Sequence, residues 1–197
     1  SFIGNLSIRT HGTGETPVFR QALQDFGHAG DGFWLQGAGT RIENNIATGA
    51  TGAGLIVYSD ALVSGDTGRA EFLTENLADP SLAGNLQTIP VTLVPLRSFK
   101  GNTAYGSLVG ARTYYHRTLI QVDEDQFDQA AQLRGAFPDS VMEDMLIWNS
   151  NDGYLANYTV DTIFRNFTIV NAADQPGQSG YDATNVYNRG RHTYENF

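Results

Sequence analysis

The chain has 197 residues, a hydrophobic content of 41%, a charged content of 17% and a formal net charge of −9. That is enough apolar material for a core, so wholesale disorder is excluded, and with no basic footprint nucleic-acid binding is not expected. The absence of cysteine excludes disulfides, thiolate catalysis and zinc–thiolate sites, and no apolar run approaches the ~20 residues of a membrane span.

In chain order, the pattern is short apolar runs punctuated by glycine and asparagine. "SFIGN" opens the chain on an apolar–x–Asn corner at Asn5. Ser1 in place of Met reads as processing or as a segment of something longer. "HAGDG" (28–32) sets His28 and Asp31 beside a glycine turn. "FWLQ" then follows Gly32 and "LIVY" follows Gly54, with "RIENN" and its corner at Asn45 between them. "GATGAG" leads into a β run, whereas a phosphate loop opens a helix, so no nucleotide site is expected. Residues 61–95 break the rhythm with three prolines and read as a long excursion. "FKGN" restores the corner at Asn102, and Gly110 precedes "ARTYYHR".

A second excursion covers residues 118–141. Its Phe127, Ala130, Ala131 and Leu133 could form one face of a short helix. Its acidic run "DEDQFD" lacks the glycine and glutamate of an EF-hand loop. "NSNDG" (149–153) carries oxygen ligands of the kind calcium takes but reads more simply as a turn. No metal and no cofactor is expected. Gly153 precedes "YLAN", and corners recur at Asn166 and Asn196. Glycosylation sequons stand at Asn5, Asn157 and Asn166.

Aligned on the glycines, these runs predict a solenoid whose coils stack strand on strand. The first and third residues after each glycine point inward. Phe33, Leu55, Ala111 and Tyr154 form one interior column, and Leu35, Val57, Thr113 and Ala156 the next. Glycine gives backbone freedom at each corner, and corner asparagines stack through their amides. The expectation is an all-β, right-handed parallel β-helix with two loop insertions, at about 61–95 and 118–141, one carrying the helix. The stretch 30–59 resembles the right-handed parallel β-helix repeat family. "SFKGNTAYGSLVGARTYYH" with "FRNFTIVN" resembles the β-helix of cell-migration-inducing hyaluronidase and fibrocystin-like proteins. That resemblance implies a fold rather than an activity.

Outward positions are then the candidates for function. Trp34, Ile56, Arg112 and Leu155 make one row; Gln36, Tyr58, Tyr114 and Asn157 the second; Asp60, His116 and Thr159 a third. Aromatic faces stack on sugars, arginine grips uronate carboxylates, and histidine or aspartate moves protons. Trp34, Gln36, Tyr58, Arg112 and Asn157 are the expected polysaccharide-binding residues. Asp60, Arg112, Tyr114 and His116 are the catalytic candidates, with Asp31 beside Asp60 as a carboxylate. The sequence leaves binding and processing undecided. The rival expectation is a structural or adhesive scaffold, a rigid segment of a larger surface protein or filament. Either protein would be extracellular or at the cell surface. Exposed solenoid ends call for adjoining chain segments or identical subunits.

Overall fold

A computed structural model describes residues 1–13, 27–59, 71–119, 127–170, 181–182 and 192–196. It is a right-handed parallel β-helix with three parallel sheets running along the coil axis. Sheet A stacks, in order, β1 (Phe2–Ile3), β4 (Arg41–Glu43), β9 (Ser98–Lys100), β12 (Ser140–Glu143), β15 (Thr162–Arg165) and β18 (His192–Glu195). Sheet B stacks β2 (Leu6–Ile8), β5 (Ile46–Thr48), β10 (Thr103–Tyr105), β13 (Leu146–Trp148) and β16 (Thr168–Val170). Sheet C, with the longest strands, stacks β3 (Phe33–Gln36), β6 (Ala53–Tyr58), β11 (Val109–Tyr114), β14 (Asp152–Asn157) and β17 (Tyr181–Asp182).

The interior columns form in the expected register. Phe33 pairs with Leu55, Leu55 with Ala111 and Ala111 with Tyr154; Leu35, Val57, Thr113 and Ala156 follow likewise. Sheet A contributes Ile42, Phe99, Met142 and Phe164, each 2% exposed or less, and sheet B contributes Ala47, Ala104 and Ile147. Burying each large side chain of this kind stabilises the fold by about 1.5–3 kcal/mol. On the outer side of sheet A, Glu43, Lys100, Glu143, Arg165 and Glu195 align as one row. From Lys100 onward the signs alternate, and Lys100–Glu143 (3.2 Å), Arg165–Glu143 (3.4 Å) and Arg165–Glu195 (2.5 Å) pair across coils.

Two corrections concern the corners. The asparagine landmark merges two different columns. Asn44, Asp144, Asn166 and Asn196, with Gly4 and Gly101, hold the A-to-B turn at φ between 52° and 68°. Short polar residues and glycine tolerate that left-handed backbone. Asn5, Asn45 and Asn102 sit one residue later and turn inward. Asn5 Nδ2 donates to Asn45 Oδ1 (2.9 Å) and Asn45 Nδ2 to Asn102 Oδ1 (2.9 Å). Met145 and Phe167, both buried, take over this column in the later coils.

Gly54 and Gly110, each the second residue of its sheet C strand, serve close approach rather than backbone freedom. A Cβ on Gly54 would lie 2.6 Å from Gly110 O and 2.8 Å from Ala104 Cβ, and one on Gly110 2.3 Å from Ile147 Cγ2. Gly54→Ala is therefore expected to cost about 2 kcal/mol by forcing sheets B and C apart. A thermal midpoint equal to wild type would show that the walls can part freely.

Both excursions leave the same corner. The chain goes from Tyr58 to Ser98, and from Tyr114 to Ser140, before rejoining sheet A. The first carries an antiparallel ribbon, β7 (Glu71–Leu73) with β8 (Thr88–Pro90). The second carries α1 (Phe127–Ala136). Ala130 of α1 is buried in a small cluster with Leu93 and Leu119, and Phe127, Ala131 and Leu133 pack against it.

Candidate functional site

The two outward rows of sheet C align as expected. Trp34, Ile56, Arg112 and Leu155 are in register, as are Gln36, Tyr58, Tyr114 and Asn157. Their exposure differs from the expectation of an open face. Ile56 is 1% exposed, Tyr58 0% and Leu155 9%. Trp34, Tyr114, Arg112 and Asn157 are half-buried, and Gln36 is exposed. Gln36 borders a cleft of about 460 Å³ whose other walls include Phe72, Glu75, Val91 and Arg97.

Rings dominate the second row. Trp34 stacks on Tyr58 (6.1 Å), and Tyr58 on Tyr114 (5.7 Å, 7° between planes). Tyr115 and Tyr158, from the turns after β11 and β14, stack on each other (5.1 Å) and meet Tyr114 edge-on at 4.5 and 5.4 Å. Alternation along a strand does not reveal Tyr115 and Tyr158, because both lie beyond strand ends at φ 58° and 46°. Burial, helped by Tyr158, pushes the Tyr114 phenol up, so Tyr114 is a neutral hydrogen-bonding group at pH 7. Burial pulls the Arg112 guanidinium down, while Asp31, Tyr114 and Asp152 pull the other way. Asp31, 8% exposed, accepts the Ala53 amide at 2.7 Å and so braces a coil corner. Trp34 Nε1 and Asn157 Oδ1 on this sheet are buried without a hydrogen-bond partner among the described residues.

The third row does not continue outward. His116 and Thr159 are both 0% exposed. Tyr115 and Arg117 flank His116 with φ of 58° and 61°, and these left-handed residues end the alternation and turn the chain inward. His116 Nε2 lies 2.8 Å from Ser140 Oγ, which also accepts the Leu96 amide at 2.9 Å. The imidazole thus ties the ends of both excursions to sheet A. Burial lowers its pKa to about 3, with Arg117 adding to the effect, so it stays neutral. Thr159 Oγ1 donates to Thr113 Oγ1 at 2.8 Å inside the coil. Asp60 lies outside the described residues, as does most of the acidic run 123–128.

Arg117 completes this knot. It is 0% exposed. Its Nη1 donates to Leu93 O at 2.7 Å, and its Nη2 to Arg134 O at 2.9 Å and Phe137 O at 3.4 Å. One guanidinium therefore joins the first excursion to the C-terminal end of α1, where helix carbonyls lack intrahelical donors. Burial lowers its pKa to about 10 against the pull of Asp161, so the charge persists at neutral pH. Of the sequons, Asn166 is exposed, while Asn5 and Asn157 are half-buried.

Among the described residues no group of three His, Asp or Glu side chains could hold a metal ion, and no helix is long and apolar enough to cross a membrane. The chain matches no family model, no curated protein and no solved structure.

Proposed function

We propose that the chain is a rigid β-helical scaffold, a segment of a larger extracellular or cell-surface protein or filament. The observation that carries this reading is the burial of Ile56, Tyr58 and Leu155 on the outer side of sheet C. A solenoid that grips a long glycan needs a continuous open row, and here buried Ile56 and Leu155 interrupt the first row and buried Tyr58 the second. The neutral, buried His116 supports the same reading, since a general base must reach its proton. The likeness of the corner motifs to the β-helix of cell-migration-inducing hyaluronidase and fibrocystin-like proteins supports a surface location.

A second reading, binding of a polysaccharide, is favoured by one observation. Trp34 Nε1 and Asn157 Oδ1 are a donor and an acceptor buried without partners among the described residues, beside half-buried Arg112 and four tyrosines. Buried polar groups normally find a hydrogen bond, and a sugar hydroxyl could supply one. A glycan panel separates the two readings. The scaffold predicts no binding at any glycan. Binding that disappears in Arg112→Ala and in Trp34→Ala, with folding unchanged, would replace the scaffold by the glycan site.

A further inference from the structure

The outer face of sheet B is unlike the rest of the surface. Along its five strands the inward residues alternate with ten outward ones, and none of the ten is charged. Leu6, Ile8, Ile46, Leu146, Trp148 and Val170 are between 38% and 61% exposed. Together they present on the order of 600 Å² of apolar surface, the upper end for a monomer. The neighbouring face of sheet A carries the ion-pair row, so the lack of charge belongs to sheet B alone.

The geometry of this face narrows what can cover it. Tyr105 and Trp148 stack on each other along the coil axis, 4.4 Å apart and 11° from parallel. Their ring faces are therefore used within the sheet and their edges point outward, which is a poor platform for a sugar. A net charge of −9 disfavours an anionic lipid surface. What remains is a flat apolar plate that needs a flat apolar counterpart.

We propose that a second copy of this chain is that counterpart, with sheet B packed face to face on sheet B about a two-fold axis parallel to the coil axis. This symmetry lays each strand over its own copy, so the first outward residue meets the third. Ile46 of one copy then faces Thr48 of the other, Thr103 faces Tyr105, and Thr168 faces Val170. In two of five coils, Ile46 against Thr48 and Tyr105 against Thr103, a larger side chain meets a smaller one, which lets the plates interlock at the ~10 Å spacing of packed sheets. The pair would bury on the order of 1,200 Å², the lower edge of stable interfaces. A weak dimer is the result, with a dissociation constant on the order of 10 µM.

This inference is independent of the scaffold reading, which rests on sheet C and is decided by the glycan panel. Sedimentation equilibrium tests it, over a protein range of about 1–300 µM. The expected average mass rises from the 21.4 kDa of one chain towards twice that value. Ile46→Arg and Leu146→Arg replace exposed side chains and should keep the wild-type circular dichroism and melting temperature. Each should weaken dimerisation at least tenfold. A wild-type chain that stays monomeric throughout, or a dimer that survives both substitutions, overturns the proposal.

Discussion

Arg117→Met is expected to destabilise the protein by about 3 kcal/mol, because it strips two buried carbonyls and one part-buried carbonyl of a charged donor at once. Methionine fills much of the space but satisfies none of Leu93 O, Arg134 O and Phe137 O. Relief from desolvating a guanidinium offsets part of the loss, which keeps the figure below a simple sum over three bonds. For a chain of this size the thermal midpoint should fall by roughly 6–12 °C. Hydrogen exchange gives the sharper readout. Amides of α1 and of the Val91–Leu93 turn should lose protection before those of sheets B and C. A variant that melts at the wild-type temperature with α1 fully protected would remove Arg117 from this role.

The second large effect is acid sensitivity through His116. Its folded pKa is lowered to about 3, while an unfolded histidine titrates near 6.5. The unfolded state therefore binds the proton first as pH falls. The stability that the neutral imidazole supplies is fully present above pH 6.5 and is lost progressively down to about pH 3. Linkage gives a loss of about 2 kcal/mol at pH 5 and about 3 kcal/mol at pH 4. Carboxylates contribute their own acid effects, so the measurement is a difference. His116→Gln should be less stable than wild type at pH 7.5, and denaturant unfolding should show that gap narrowing by about 2 kcal/mol at pH 5. A gap that does not change with pH would mean that His116 titrates normally.

The fold was legible in the sequence because a solenoid repeats one physical solution. The glycines at 32, 54 and 110 mark where sheet C approaches sheet B closely, and counting residues from them and from Gly153 gives the interior columns and the register. The same counting misled wherever backbone conformation changed. Asn45 and Asn166 stand equally far from their glycines, yet Asn45 turns inward and Asn166 holds the left-handed corner. Alternation placed His116 outside with Tyr114, but Tyr115 and Arg117 at positive φ end the strand and carry the imidazole into the core. The burial of Ile56 and Tyr58 was not legible either, since a period of two says which side a residue faces and nothing about what covers that side. The uncharged outer face of sheet B is present in the sequence as Leu, Ile, Thr, Tyr, Trp and Val at the first and third positions of three-residue strands, which are too short for alternation alone to mark a face.

The unequal lengths of the coils set the order in which the chain can afford to close them. Strands β3 and β6 pair residues 22 apart (Phe33 with Leu55), as do β12 and β15 (Ser140 with Thr162). Strands β4 and β9 pair residues 57 apart (Ile42 with Phe99). Loop-closure entropy makes the long coil costlier by about 0.8 kcal/mol. No strand of the three sheets pairs with a sequence neighbour, so this is a topology of high contact order and slow folding. Two short coils, one near each end of the molecule, are the natural starting points, and the coil that encloses the longest excursion is the last to gain from closing.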